Sequence, residues 1–296
     1  MQSIFVCNTA GDSLSEINLT DYSVKKYPLD LGEKPVGPHS IICYDNKLII
    51  SNSYNNSISI FSLDEKMEKE NMYIGSYPQD MCIYGKVIYV VCSDSNSIIE
   101  VDIESGEIIT SIPVLEYPHN IEIDEESKVA YVSNLNSNSI SVVDLDKKVV
   151  KAAIKTYDNP TKIFLSKDKK MLYLCESYFG KEIEGYIAII STKNNKIIKR
   201  IRVGLEPADF VLDDNKLYVT NSGEGTLSII DLNKGREVKK IYIGGMVKSI
   251  IKIGNDIFIG DYMNGRVVKI NLKERIIKNI TVGKEPNAMI LVDYLL

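Results

Sequence analysis

Short apolar runs bounded by polar turns recur along the whole chain. KLYVTN (216–221) and TLSIIDL (226–232) are rich in β-branched residues, and REVKKIYIG (236–244) alternates charged with apolar positions. Such runs predict strands, and the alternation predicts an outer strand with one solvated face. Between them lie hairpin turns such as ESG (104–106) and NKG (233–235). Because no stretch keeps a helical period of 3.6 residues for long, the pattern predicts an all-β chain.

Three positions of this pattern repeat seven times. The first is a proline, once a valine, before an apolar run: Pro38, Pro78, Pro118, Pro160, Pro207, Val247 and Pro286. The second ends a strand such as FVCN: Asn8, Asn52, Cys92, Asn134, Glu176, Asn221 and Asp261. The third closes the next strand: Asn18, Ser62, Asp102, Asp144, Ser191, Asp231 and Asn271. The mean period of about 42 residues is typical of four-stranded propeller blades.

Seven such units fill the chain, so the sequence predicts one domain, 1–296, folded as a seven-bladed β-propeller of four-stranded antiparallel blades. The predicted blades are 286–296 with 1–34, then 35–75, 76–115, 116–157, 158–204, 205–244 and 245–285. The chain begins with the second strand of a unit and finishes with a first strand. Pairing of the N- and C-terminal strands would close the ring and protect its sheet edges.

Two segments carry a resemblance to a known family. LYVTNSGEGTLSIIDLNKGREVKKIYIG (217–244) contains the tetrapeptide YVTN, and AYVSNLNSNSISVVDLDKKVVKAAI (130–154) is a close copy. The chain resembles the YVTN-repeat seven-bladed propellers of the lactonase-like superfamily over its whole length, most weakly near Glu176 and Val247. The resemblance implies the propeller fold but says little about activity, since such folds host many functions. In some members of the wider superfamily, histidines at the strand start face the centre and serve cofactors.

The residues that follow each proline position are predicted to surround the upper mouth of the central channel. They are His39, Gln79, His119, Thr161, Ala208, Lys248 and Asn287, and then Ser40, Asp80, Asn120, Lys162, Asp209, Ser249 and Ala288. This mostly polar ring suits a small polar ligand or an ion. The predicted ligand-binding residues are His39, Gln79, Asp80, His119, Asn120, Lys162, Asp209, Lys248 and Asn287, together with Tyr178 and Phe179.

Tyr178 and Phe179 belong to an insertion. SYFGKEIEG (177–185) is five residues longer than its counterparts, and LGEKPVGPHS (31–40) is three residues longer, just before His39. Both insertions are predicted on the upper face of the ring. They are either recognition loops or neutral variation, because surface loops tolerate added residues.

The chain has only two histidines, His39 and His119, each after a proline. With Asp80 or Asp209 they are the candidates for acid–base catalysis or for a mixed nitrogen and oxygen set around a divalent metal; Glu176 is a further candidate carboxylate. The alternative is that each histidine hydrogen-bonds a neighbouring inter-blade loop. Two ligands two blades apart are a weak metal signature, so the sequence predicts no metal ligands and no cofactor, and leaves a divalent metal at the mouth open.

Composition narrows the function. The net charge is −5 with scattered Lys and Arg, which disfavours a nucleic-acid partner. Five cysteines without a CxxC pair, no signal peptide and no apolar run of about 20 residues predict a cytoplasmic monomer without a membrane partner. No GxSxG, P-loop, HExxH or GxGxxG motif occurs. We therefore expect a non-catalytic propeller that holds a small ligand or a partner protein on its upper face. The alternative is a lactonase-like hydrolase with an acid–base or metal site at the channel mouth.

Overall fold

Seven four-stranded antiparallel sheets make up the computed structural model, which describes residues 2–29, 34–274 and 276–294. Blade 1 holds β1 (Gln2–Asn8), β2 (Ser13–Asn18), β3 (Val24–Pro28) and the final strand of the chain. Blade 2 holds β4 (Pro38–Tyr44), β5 (Lys47–Asn52), β6 (Ser57–Ser62) and β7 (Met67–Tyr73). Blade 3 holds β8 (Pro78–Tyr84), β9 (Val87–Cys92), β10 (Ser97–Asp102) and β11 (Ile108–Pro113).

The other four blades repeat the same order of strands. Blade 4 holds β12 (Pro118–Asp124), β13 (Val129–Asn134), β14 (Ser139–Asp144) and β15 (Val149–Lys155). Blade 5 holds β16 (Pro160–Leu165), β17 (Met171–Glu176), β18 (Glu184–Ser191) and β19 (Lys196–Leu205). Blade 6 holds β20 (Pro207–Asp213), β21 (Lys216–Asn221), β22 (Thr226–Asp231) and β23 (Arg236–Tyr242). Blade 7 holds β24 (Val247–Ile253), β25 (Asp256–Asp261), β26 (Arg266–Asn271) and β27 (Ile277–Thr281), and β28 (Pro286–Asp293) returns to blade 1.

The ring is closed by the two ends of the described chain. β28 pairs antiparallel with β1, with Ile4 opposite Leu291 and Phe5 opposite Ile290. The first strands β4, β8, β12, β16, β20, β24 and β28 contact one another in a complete cycle around the central channel. The predicted seven-bladed, all-β architecture and its closure are therefore confirmed.

Helical structure is limited to one short 3₁₀ turn, Thr9–Gly11, among the described residues. None of the helical structure found in residues 2–29, 34–274 and 276–294 has the length and apolar character needed to cross a membrane.

The hydrophobic core consists of layers between neighbouring blades. Phe5 packs with Leu48 and Phe61 towards blade 2, whereas the adjacent Ile4 packs with Phe258 towards blade 7. Successive side chains of a strand point to opposite faces, so each middle strand serves two inter-blade layers and must be apolar on both. The outer strand β23 has only exposed and half-buried residues, so it is more solvated than the strict alternation in the segment 236–244 predicted.

A recurring asparagine fastens the second strand to the third in four blades. The Nδ2 groups of Asn8, Asn52, Asn134 and Asn221 each donate to hydroxyl groups five and seven residues further along the chain. These hydrogen bonds explain why asparagine stands at the end of the second strand in these four blades, as it does in the tetrapeptide YVTN. The equivalent residues of blades 5 and 7 are Glu176 and Asp261, and each is paired with an arginine, Arg200 or Arg266.

Hydroxyl groups join successive blades near the channel. Each of six blades donates at least one hydroxyl to a carbonyl oxygen of the next first strand. The shortest of these bonds, at 2.6–3.2 Å, run from Thr9 to Pro38, Ser51 to Gln79, Ser93 to Pro118, Ser133 to Thr161, Ser177 to Pro207, and Thr220 to Lys248. Main-chain hydrogen bonds of a propeller run within blades, so these side-chain bonds supply direct polar links between blades.

Replacing one of these hydroxyls should measurably weaken the ring. In Ser133→Ala, the Thr161 carbonyl loses a donor at 2.6 Å and the Asn120 N–H loses an acceptor at 3.1 Å, in a buried setting. We expect the free energy of unfolding to fall by about 1–3 kcal/mol, the cost of leaving buried polar groups unpaired. Urea unfolding of this variant and of Ser76→Ala, in the loop before Pro78, measures the difference. Equal stabilities of the two variants would contradict the assigned role.

Candidate functional site

The channel opens on the upper face into a cavity of about 510 Å³. All fourteen residues that follow the proline positions line this cavity. Its wall also includes Phe179, Glu206, Ser222 and Met246 from upper loops, and Ile41, Ile42, Met81, Cys82, Ile121, Glu122 and Met289 further along the first strands. The first strands start at this face, so their opening residues converge from all seven blades.

Two acidic residues of the predicted site hold neighbouring first strands together. Asp80 accepts hydrogen bonds from Ser40 Oγ at 2.7 Å, from Asn120 Nδ2 and from the Ile121 N–H at 3.3 Å. Asp209 accepts the Phe210 N–H at 2.8 Å and the Ile250 N–H at 3.1 Å.

Asn120 acts in the same way, since its Oδ1 accepts the Ile163 N–H at 2.9 Å. The channel-side edge of each first strand has no strand partner, and its N–H groups need acceptors from elsewhere. Asp80, Asn120 and Asp209 supply them to the next blade. Both oxygens of each carboxylate are engaged in the fold.

The two histidines meet across the channel although a blade separates them in sequence. Their ring centroids are 6.4 Å apart and the rings are nearly perpendicular. His39 Nδ1 lies 2.8 Å from the Gln79 carbonyl oxygen and donates to it in the matching tautomer. His119 Nδ1 is buried and has no hydrogen-bond partner among the described residues. Burial lowers the pKa of His39 to about 4 and that of His119 to about 3, so both rings are neutral at pH 7.

Two lysines add positive charge to the cavity wall. Burial lowers the pKa of Lys162, but the fields of Asp80, Asp209 and Glu122 outweigh this effect and leave the pKa raised. The pKa of Lys248 is lowered, chiefly by burial, and its Nζ lies 4.2 Å from the centre of the Tyr262 ring. Within the described part of the chain, neither ammonium group is at ion-pair distance from a carboxylate. Both lysines therefore have hydrogen-bond donors to offer.

Glu122, like Cys82 and Glu206, is a titratable residue of the cavity wall that the sequence reasoning missed. Burial raises its pKa to about 7, against the lowering effect of Lys162. The signal was present in the repeat: the fourth residue after each proline position is apolar or cysteine in six units, and only the 118–124 unit has an acid there. A charged residue where six copies are not charged marks a special position.

The insertion at 177–185 reaches the cavity with only one of its two aromatic residues. Phe179 lines the cavity and is 38% exposed. Tyr178 packs instead among Tyr157 and Tyr186, with ring centroids 6.2 and 6.4 Å away. In the other insertion, 31–40, residues 31–33 lie outside the described residues.

Glu176 is not part of the cavity. Its carboxylate is fully buried and accepts two hydrogen bonds from Arg200, at 2.8 and 3.0 Å, and one from the Tyr157 N–H at 2.9 Å. It replaces the asparagine of the repeat and serves the packing of blade 5.

The residues proposed for a divalent metal do not fit one. No group of three or more His, Cys, Asp and Glu side chains suited to a metal occurs among residues 2–29, 34–274 and 276–294. His39 Nδ1 faces a carbonyl oxygen, and the oxygens of Asp80 and Asp209 accept main-chain N–H groups.

These features define a seven-bladed β-propeller with a polar cavity at one end of its channel. Solved structures with this fold include hydrazine synthase of Kuenenia stuttgartiensis, with a TM-score of 0.77, 19% identity, and coverage of 88% of this chain and 90% of that one. A functionally unknown protein from Desulfotomaculum acetoxidans has a TM-score of 0.80, 12% identity and 98% coverage of both chains. The computationally designed protein Ika8 has a TM-score of 0.70 at 10% identity, covering 96% of this chain and 86% of its own. At these identities the similarity shows the fold alone.

Comparisons by sequence add no family assignment. No family model matches the chain, and no curated protein matches it.

Proposed function

We propose that this chain is a YVTN-repeat propeller that binds a small polar ligand in the upper cavity and does not transform it. The observation that carries the proposal is a cavity of about 510 Å³ whose wall holds polar groups without protein partners. His119 Nδ1 and Ser249 Oγ are buried and unpartnered among the described residues, and both belong to residues of the cavity wall. Buried polar groups need hydrogen bonds, and a ligand would provide them.

The state of the candidate catalytic groups favours binding over catalysis. Asp80 and Asp209 already accept hydrogen bonds that join blades. His39 and His119 have pKa values near 4 and 3, too low for efficient general bases at neutral pH. No carboxylate hydrogen-bonds a histidine ring among the described residues, so the pair that activates a nucleophile in hydrolases is missing there.

One observation supports the lactonase-like alternative. Glu122 has a pKa of about 7, which is suited to a general base at neutral pH, and it lines the same cavity. A hydrolase of this kind would lose turnover in Glu122→Gln while keeping its ligand affinity. Detection of such a loss would replace the binding proposal by the enzymatic one.

Filling the cavity tests the binding proposal directly. Ala208 lines the cavity, and Ala208→Phe should occupy part of it, whereas Ala10→Phe places the same group at an exposed position of the 3₁₀ turn Thr9–Gly11. We expect native mass spectrometry of freshly purified wild-type protein and Ala10→Phe to show a bound small molecule, and Ala208→Phe to have lost it. A metabolite library screened by thermal shift against the three proteins gives the second measurement. If no compound distinguishes Ala208→Phe from the other two, the proposal fails.

A further inference from the structure

We infer that the ligand of the upper cavity is a small carboxylate anion, bound by Lys248, Gln79, Ser249 and His119. The inference rests on the proposed ligand-binding function and specifies the chemistry of the ligand. It follows from which polar groups of the cavity wall are already used by the fold and which are not.

Four acceptor side chains of the wall are used by the fold, and the carboxylate of Glu122 has the Leu165 N–H beside it. Asp80 and Asp209 accept hydrogen bonds on both oxygens, and Asn120 uses its oxygen for the Ile163 N–H. Glu206 accepts the Gly180 N–H at 2.9 Å. A ligand rich in donors would therefore find its best acceptors already occupied.

Some donors of the wall are used as well, among them Ser40 Oγ and Asn120 Nδ2, but others are free. Among the described residues, Lys248 Nζ has only the face of the Tyr262 ring beside it. Gln79 is 4% exposed, and its side-chain amide makes no hydrogen bond with the described part of the chain.

Ser249 is a second, independent buried donor of the same wall. It is 6% exposed, and its Oγ has no partner in the described residues. The neighbouring residue of blade 7 is Gly260, where a Cβ atom would come within 2.5 Å of Ser249 Oγ. In blades 2, 4 and 6 the residue equivalent to Gly260 carries a hydroxyl group. Blade 7 lacks that hydroxyl, so Ser249 has no such partner beside it. Free donors and committed acceptors together select a ligand that brings acceptor oxygens.

Charge then limits the ligand to a single negative group. Lys162 and Lys248 face Asp80, Asp209, Glu122 and Glu206 around the cavity. Lys162 lies in the fields of three of these acids, whereas Lys248 has only the fields of Glu206 and Glu285 in its favour. Lys248 is therefore the cation available to the ligand. A dianion such as phosphate would add two charges to a wall that already has more acids than bases, so a monocarboxylate fits better.

Glu122 couples this binding to pH. The groups that act on its carboxyl are Lys162, Asp80, the Leu165 N–H and Lys169, and it in turn acts on Cys82 and Lys162. Protonation of Glu122, whose pKa is about 7, removes a negative charge from the wall, so an anion binds more tightly as pH falls from 8 to 6. Thermodynamic linkage requires the reverse effect as well, so the bound anion raises the pKa of Glu122. A rise of one pKa unit corresponds to about tenfold tighter binding of the anion when Glu122 is protonated.

The experiment compares carboxylates with neutral isosteres. Acetate and benzoate are titrated against acetamide and benzamide by saturation-transfer NMR at constant ionic strength, with full-length protein. We expect the carboxylates to bind and the amides to bind at least about tenfold more weakly, consistent with the loss of one charge-assisted interaction. Lys248→Gln should weaken carboxylate binding by about the same factor, and the exposed Lys167→Gln should leave it unchanged.

Glu122→Gln keeps the test decisive even if Lys248→Gln folds poorly. It should bind acetate more tightly than wild type at pH 8 and lose the dependence on pH. Equal affinity for carboxylates and amides, tighter binding of inorganic phosphate than of acetate, or an unchanged pH profile in Glu122→Gln would overturn the inference. If the carboxylates fail but another compound distinguishes wild type from Ala208→Phe, the ligand class is wrong and the proposed function stands. If no compound distinguishes wild type from Ala208→Phe, both the ligand class and the proposed function are wrong.

Discussion

Deletion of residues 286–296 should abolish the cooperative unfolding of the whole chain. The deletion removes β28, the innermost strand of blade 1, which pairs with β1 from Gln2 to Asn8. The inner edge of β1 would then exchange its hydrogen bonds with β28 for hydrogen bonds with water. Each intramolecular hydrogen bond lost in this way costs about 0.5–1.5 kcal/mol.

Loss of β28 also opens the ring on both sides, because this strand contacts β24 and β4. Several lost main-chain hydrogen bonds and two broken inter-blade layers together match the total stability of a typical domain, about 5–15 kcal/mol. We therefore expect urea unfolding monitored by circular dichroism to lose its single sharp transition. The exposed strand edge should also promote association of chains in light scattering.

A peptide provides the control for this deletion. Adding a synthetic peptide of sequence 286–296 in trans should restore the missing strand and recover a cooperative transition that depends on peptide concentration. A truncated chain that unfolds within a few degrees of wild type would show that the pairing of β28 with β1 is unimportant for stability.

The architecture could be predicted because it is repeated. Seven copies of a proline, an asparagine-like position and a strand end fix the strand order, and each copy supports the others. The ring of fourteen cavity residues could also be located, since the first strands of all blades start at the same face. The repeat shows which residues of the seven blades are equivalent. In a propeller, equivalent residues lie at the same height along the central axis.

The repeat could not reveal what these residues do. Asp80 and Asp209 looked like catalytic carboxylates because their partners, the Ile121 and Ile250 N–H groups, lie 41 residues away on other blades. The approach of the His39 and His119 rings to 6.4 Å between centroids could not be predicted, because the repeat does not give the width of the channel.

Glu122 was missed for a different reason. The pairing register of β12 with β13 shifts between Pro118 and Asn120. Such a bulge changes which residues of a strand face a given side. Simple alternation from the proline therefore does not tell which later residues of the strand face the channel.

The second large effect is expected in blade 5, at the ion pair that replaces the asparagine of the repeat. In Arg200→Met, the Glu176 carboxylate stays fully buried and loses two hydrogen bonds, at 2.8 and 3.0 Å. The arginine also lies 3.7 Å from the centre of the Tyr157 ring, and this contact is weakened too. Removing one partner of a buried ion pair costs about 3–5 kcal/mol, since the Glu176 carboxylate would keep the Tyr157 N–H but lose its counter-charge. Urea unfolding should show this loss.

Two further variants separate the uncompensated charge from lost packing. Arg202→Met in the same strand breaks an exposed pair with Glu184 at 3.4 Å, and should cost less than about 1 kcal/mol. In Glu176→Gln/Arg200→Met the buried charge is gone, and a neutral amide takes its place as asparagine does in blades 1, 2, 4 and 6. We expect the double variant to recover more than half of the stability that Arg200→Met loses, since the buried charge and not the missing side chain causes most of the loss. A double variant no more stable than Arg200→Met would instead assign the effect to packing around Tyr157.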